Sequence, residues 1–314
     1  MEKSITVKEL LKARGRVMVL KVVSGREFLG KKITVSEVNR PGLAVTGHLD
    51  QFRAERIQII GKGEYAYCTK ENPKKIKNNL DRMFSRSDMP CVIITGGVKP
   101  HELILESCKK NKIPLLETSL DTSTFIREIT IFLDDLLAPV TTLHGVLVNV
   151  YGLGVLIQGD PGIGKSECAI ELLKRNHILI SDDIVEIKRR IGYILMGTSP
   201  KTIKNFMEVR GLGIIDVEML FGIGAIMSQS IIEMQVYLQS ALNLDLSKYD
   251  RTGTEDNYMK ILDVDVPSLK IPVTPGRNLA VLIEVAALNQ RLKNQGYFAS
   301  KKFNEALIKQ MKNG

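Results

Sequence analysis

Gly159-Asp160-Pro161-Gly162-Ile163-Gly164-Lys165-Ser166 meets every fixed position of the pattern G-x-x-x-x-G-K-[ST]. The apolar run Val155-Leu156-Ile157 precedes it, and the helix-like Glu167-Cys168-Ala169-Ile170-Glu171-Leu172-Leu173 follows. Strand, loop and helix in that order predict a phosphate-binding loop inside an α/β unit. Its glycines let the backbone turn N–H groups inward around an anion, and the positive end of the next helix favours negative charge there. In such a loop Lys165 reaches the outer phosphates of a nucleotide, and the Ser166 hydroxyl holds the magnesium that bridges them.

The rest of the chain is read around this loop. A length of 314 residues predicts two domains, and 44% hydrophobic with 25% charged residues is ordinary for a soluble globular protein. No secretory leader opens the chain and no long apolar run interrupts it, so a cytoplasmic location without membrane contact is expected. Cys68, Cys91, Cys108 and Cys168 are too far apart for a zinc or redox pair, which predicts free, buried thiols. A net charge of +9 admits nucleic acid, acidic protein or phosphate as partners. The short runs Lys74-Lys75-Ile76-Lys77 and Lys188-Arg189-Arg190 read as solvated faces.

Before residue 130, a short helix near residues 7–11 and a strand at 17–23 lead to turns at Asn39-Arg40-Pro41-Gly42 and Gly61-Lys62-Gly63. Residues 91–97 form an apolar run closed by Gly96-Gly97, followed by a helix at 100–110, a strand at 113–116 and a helix at 122–137. Alternation of strand and helix predicts a small α/β domain with a parallel sheet. The Gly96-Gly97 turn is a second, weaker candidate for phosphate. Leu137-Ala138-Pro139 breaks the pattern, and the division is drawn as 1–132 and 133–314.

Beyond that break the pattern is richer in strands, at 146–150, 177–180, 185–188, 193–196 and 231–238, the last alternating cleanly. A helix is predicted at 278–292 with Gly296 beyond it, and Phe303, Leu307 and Met311 form a stripe that would dock a terminal helix.

Phosphoryl chemistry needs a carboxylate near the loop, to hold magnesium or accept a hydroxyl proton. Asp182-Asp183 ends a predicted strand beside the loop, 17 positions after Lys165. An adjacent pair can divide these tasks, and mutual repulsion would raise one pKa toward that of a base. A second cluster spans residues 207–216, where Glu208 and Arg210 offer a metal ligand and a phosphate clamp, or else a salt-bridged hairpin around Gly211 and Gly213.

Three stretches together closely resemble the bacterial HPr kinase/phosphorylase family: the loop extended to Glu167, residues 207–216, and Ile271-Pro272-Val273-Thr274-Pro275-Gly276-Arg277-Asn278-Leu279-Ala280-Val281. The resemblance implies a small N-terminal α/β domain for assembly or regulation, and a C-terminal P-loop kinase domain like that of phosphoenolpyruvate carboxykinase. It implies ATP-dependent phosphorylation of a serine on the phosphocarrier HPr, with pyrophosphate as a further donor, and removal of that phosphate with inorganic phosphate as co-substrate. By motif, His144 is an active-site residue, Lys165 the phosphoryl cation, Asp183 the proton acceptor and donor, Arg251 a further catalytic cation, and Ser166 and Glu208 the magnesium ligands. The resemblance further implies that residues 207–216 serve both directions and 272–277 chiefly dephosphorylation. Pro161 stands where serine is common and Thr274 where arginine is common. A homohexamer responding to fructose bisphosphate and phosphate is also implied.

Two other readings share the loop, a small-molecule kinase and a nucleotide-sensing DNA-binding regulator. The second lacks a helix-turn-helix with a basic recognition helix, so nucleic acid is not expected as a partner.

Overall fold

The computed structural model describes residues 3–86, 88–241, 256–274 and 276–313, and divides into two compact units, Met1–Ala138 and Pro139–Gly314.

In the first unit the strands Val38–Asn39, Ile57–Ile60, Val92–Ile94 and Leu115–Glu117 lie parallel in that spatial order, and Lys21–Ser24 closes the edge antiparallel to Leu115–Glu117. Ile57–Ile60 and Val92–Ile94 are buried throughout, as expected where both faces of a parallel sheet are covered. Alternation along each strand sorts the core. Ile60, Val92, Ile94 and Leu115 face the helices Gly42–Thr46, Lys62–Lys70, Pro73–Phe84 and Glu102–Lys110, while Ile57, Ile59, Ile93 and Leu116 face Val7–Arg14 and Thr122–Leu137.

The helix Thr122–Leu137 matches its expected bounds, capped by the Asp121 carboxylate on the N–H groups of Ser123 and Thr124. Gly61-Lys62-Gly63 is a different case. Read as a turn, it instead opens the helix Lys62–Lys70, with Glu64 reaching back to the Gly61 N–H. The next helix, Pro73–Phe84, begins with Asn72 capping Lys74 N–H and proline at the first position, a start signal present in the sequence.

In the second unit a six-stranded sheet runs Ile178–Ser181, Val146–Val150, Leu153–Gly159, Met234–Ser240, Val264–Val273, Asn257–Ile261 among the described residues. Leu153–Gly159, Met234–Ser240 and Val264–Val273 are parallel. Val155 and Ile157 pack beneath the helices Lys165–Lys174 and Leu279–Asn294, whereas Leu156 meets a second, antiparallel sheet of Gln229–Ile231, Ile194–Thr198, Ile184–Arg190 and Val140–His144. The loop strand is thus covered on both faces.

Four expectations need correction here. The alternating run at 231–238 is two strands in different sheets, because the chain crosses from one layer to the other between Ile231 and Met234. The strand before Asp182 pairs with Val146–Val150, so one strand separates it from the loop strand. Arg189 is not a solvated charge: its guanidinium donates to the Leu262 carbonyl and Asp263 and lies 5.7 Å from the Tyr193 ring. Phe303 and Met311, on the helix Ala299–Asn313, are exposed rather than docked in this chain's core. The thiols behave as expected, all four free and buried. Among the described residues no helix is long and apolar enough to cross a membrane.

Candidate active site

The loop leaves the strand Leu153–Gly159 and enters the helix Lys165–Lys174. Two of its glycines are constrained, Gly159 by the strand packed beside it and Gly162 by its left-handed backbone beneath a flexible arginine. A Cβ on Gly159 would stand 2.4 Å from the Leu238 carbonyl oxygen, and one on Gly162, where φ is +78°, would stand 2.7 Å from the Arg210 guanidinium. Arg210 therefore lies directly over the loop. Lys165 folds back across it, its Nζ donating to the carbonyls of Gly159 at 2.9 Å and Asp160 at 3.1 Å. Asp160 also accepts from the Tyr237 hydroxyl at 3.4 Å. Pro161, Ile163 and Gly164 complete the turn, with Gly164 at φ +101° at the helix start.

Asp182 and Asp183 diverge completely. Asp182 is 6% exposed, and its carboxylate accepts from Ser166 Oγ at 3.1 Å and from the Glu208 backbone N–H at 3.3 Å. Burial pushes its pKa above the ordinary carboxylate value, hydrogen bonds from Ser166 and Glu208 oppose that push, and the charge of Asp183 adds a lesser one. Desolvation rather than repulsion is the main cause. Asp183 has φ +65° and a side chain 72% exposed, with Oδ1 3.7 Å from His144 Nδ1. His144 ends the strand Val140–His144, paired with Ile184, and the Asp183 carbonyl accepts the Gly145 N–H at 2.9 Å. The left-handed residue at Asp183 turns its side chain away from the direction taken by Asp182.

Residues 206–216 form the hairpin Phe206–Val209 and Gly213–Asp216. The salt bridge anticipated between Glu208 and Arg210 is not found among the described residues, since Arg210 lies over Gly162 instead. Glu208 reaches the cluster through its backbone. Of the third motif, Arg277 donates to the Pro272 carbonyl at 3.3 Å and closes a turn with Gly276 at φ +80°. Pro275 and the candidate cation Arg251 lie outside the described residues.

The donor set suits magnesium. Ser166 and Asp182 present hard oxygens 3.1 Å apart, and this ion needs only one or two protein oxygens when phosphates supply others. A buried carboxylate without a cationic side-chain partner among the described residues is costly, and a cation there relieves that cost. No cluster of three or more His, Cys, Asp or Glu groups fit for a metal occurs among the described residues.

Sequence reading did not single out the polar chain behind the loop. Ser268 Oγ donates to Gln235, Gln235 Nε2 to Gln158 Oε1 at 3.3 Å, and Gln158 Nε2 to the His144 carbonyl at 3.0 Å. No local signal marks it, because it exists only through the lateral pairing of the strands that carry it.

A phosphate-binding loop on the parallel part of a mixed sheet, with a hydroxyl and a buried carboxylate at its base and an exposed carboxylate beside it, defines a P-loop phosphotransferase. Comparison with known families narrows this. The HPr serine kinase N terminus matches residues 5–133, and the HPr serine kinase C-terminal domain matches residues 135–307. Proteins named HPr kinase/phosphorylase from Alkaliphilus metalliredigens and Caldanaerobacter subterraneus are 43% and 42% identical, over 98% and 100% of both chains in each pair. A solved structure, the Hpr(Ser) kinase/phosphatase from Coxiella burnetii, is 35% identical over 52% of this chain and 99% of that chain, with a TM-score of 0.47. The chain belongs to the HPr kinase/phosphorylase family.

Proposed function

We propose that this chain transfers the terminal phosphoryl group of ATP to a serine hydroxyl of the phosphocarrier HPr, and passes the same group from phosphoserine to inorganic phosphate. The observation that carries this is the division of the carboxylate pair, Asp182 buried on Ser166 and Asp183 exposed beside His144. One acid serves the loop while the other is free to meet a substrate.

In the forward direction Asp183 takes the serine proton as Oγ bonds to phosphorus and the bridging bond breaks, its electron pair leaving with ADP. Lys165 faces the charge that builds on the transferring group. In reverse, a phosphate oxygen attacks the phosphoserine phosphorus, the Oγ–P bond breaks, Asp183 returns a proton to serine, and pyrophosphate leaves. The 3.7 Å between His144 and Asp183 supports an orienting role for His144 in this reading. Ser166, with Asp182 beside it and Glu208 as the further ligand the family motif implies, would hold magnesium, which when bound would supply charge neutralisation to the phosphate oxygens. Arg251 acts as a further cation, and residues 272–277 serve phosphate in the reverse reaction.

This reading also takes the chain as a cytoplasmic homohexamer without membrane or nucleic-acid partners. Residues 133–314 act as the catalytic domain and 1–132 as an assembly or regulatory domain. The test is incubation with γ-labelled ATP, magnesium and HPr, followed by phosphate addition. Label on a serine of HPr, then released as labelled pyrophosphate, is expected; absence of label from HPr overturns the proposal.

A further inference from the structure

The N-terminal unit holds a crevice that the phosphotransfer chemistry does not use. A cavity of about 590 Å³ is bordered by Arg40, Lys62, Gly96, Asp121, Thr122 and Arg127, among others. It lies beyond the carboxyl ends of the parallel strands Ile57–Ile60 and Val92–Ile94, where open parallel sheets take their ligands. Its walls are tied together. Thr95 and Thr122 hydroxyl oxygens are 2.7 Å apart, the Gly96 N–H donates to the Leu120 carbonyl at 2.7 Å, and the Gly97 N–H to the Thr118 carbonyl at 3.1 Å. The Lys62 stem passes over Gly96, where an added Cβ would stand 3.2 Å from Lys62 Cε.

The charges around it are unequal in availability. Arg40 is bonded to Glu64 at 2.9 Å, whereas the Lys62 and Arg127 side chains have no hydrogen bond or ion pair among the described residues. Asp121, the carboxylate among the described lining residues, is committed to the Ser123 and Thr124 N–H groups and the Ser123 hydroxyl. The helix start is therefore already capped, and recognition falls to the two free cations. With Arg40 offset by Glu64, Lys62 and Arg127 against Asp121 leave the site one charge positive.

We propose that this cavity binds a small phosphorylated metabolite, its phosphate held by Lys62 and Arg127 and its uncharged body against Ile126. A phosphate monoester carries about −1.5 to −2 near neutral pH, which two unpaired cations match. The volume falls within the roughly 300–1,000 Å³ of small-molecule sites, too little for a macromolecule.

Hydrogen–deuterium exchange on the full chain tests this, with glycerol 3-phosphate, ribose 5-phosphate and AMP each paired with its dephosphorylated parent. The expected result is protection of peptides covering 61–63, 95–97 and 120–124 by at least one phosphorylated member and by none of the parents. Lys62→Ala and Arg127→Ala, both exposed positions checked by circular dichroism, should each raise the half-saturating concentration about tenfold or more. Peptides covering 159–166 report the P-loop separately, so failure there leaves this site's readout intact. Protection confined to 159–166, equal protection by the parents, no protection with any panel member, or unchanged affinity in both variants would each overturn the proposal.

Discussion

Asp182 and Asp183 are identical side chains one peptide apart, yet one is buried on Ser166 and the other is exposed beside His144, which is why proton transfer is proposed for Asp183. Removing the charge of Asp183 should therefore strike chemistry and spare binding. Asp183→Asn is expected to lower the rate of transfer to serine by about 10²–10⁴-fold, the usual share of a general base. Nucleotide affinity, measured by calorimetry, should stay within a few-fold of the parent; normal turnover would remove Asp183 as the base. Lys165→Ala addresses the shared seat. On the proposed reading both directions move a charged phosphoryl group past one ammonium, so both rates should fall by roughly 10²–10³-fold. Survival of phosphorolysis alone would mean two separate sites.

At the scale of elements, the loop helix Lys165–Lys174 is anchored at its far end. His177 is buried and its Nε2 lies 2.9 Å from Glu284 on the helix Leu279–Asn294, while Arg175 donates to the same carboxylate at 3.3 Å. Glu284→Ala strands a buried imidazole and is expected to cost about 1–3 kcal/mol in chemical denaturation. Glu284→Gln, which keeps an acceptor, should recover most of that loss; equal destabilisation by both would assign the effect to charge instead. Elements also differ in how far their residues announce them. Thr122–Leu137 carries its period and cap within itself, and its bounds are legible. Glu208 and Arg210 are legible as candidates, but the groups that the Glu208 N–H and the Arg210 guanidinium meet belong to distant strands and loops.

At the scale of the whole molecule, two units with separate cores imply separable folding. Residues 1–138, with apolar clusters on both faces of their own sheet, should unfold cooperatively as an isolated fragment. A broad, non-cooperative melt would show that this unit depends on the other. The thiols give a second global test. Burial pushes Cys68 to about 11 and Cys91 and Cys168 to about 12, and raises Cys108 also. At pH 8 each native thiol is then almost wholly protonated as well as shielded, so iodoacetamide should leave the folded chain unmodified and label all four sites in denaturant. Labelling of the folded chain at a rate close to the denatured one would contradict the packing.

The phosphate loop was determined by sequence alone, because its requirements are local: glycines where the backbone turns through positive φ, a lysine and a serine at fixed offsets, a strand before and a helix after. The alternating pattern likewise predicted an α/β chain of two domains, and the three motifs predicted its family. Only the tertiary structure decided which aspartate serves Ser166, since burial follows from layers packed over Asp182 and not from its neighbours in sequence. It also decided that one strand separates that aspartate from the loop strand, and that the turn at Gly61-Lys62-Gly63 opens a helix beside a cationic cavity. Strand order and the meeting of side chains from separate elements depend on long-range pairing, which no window of sequence contains.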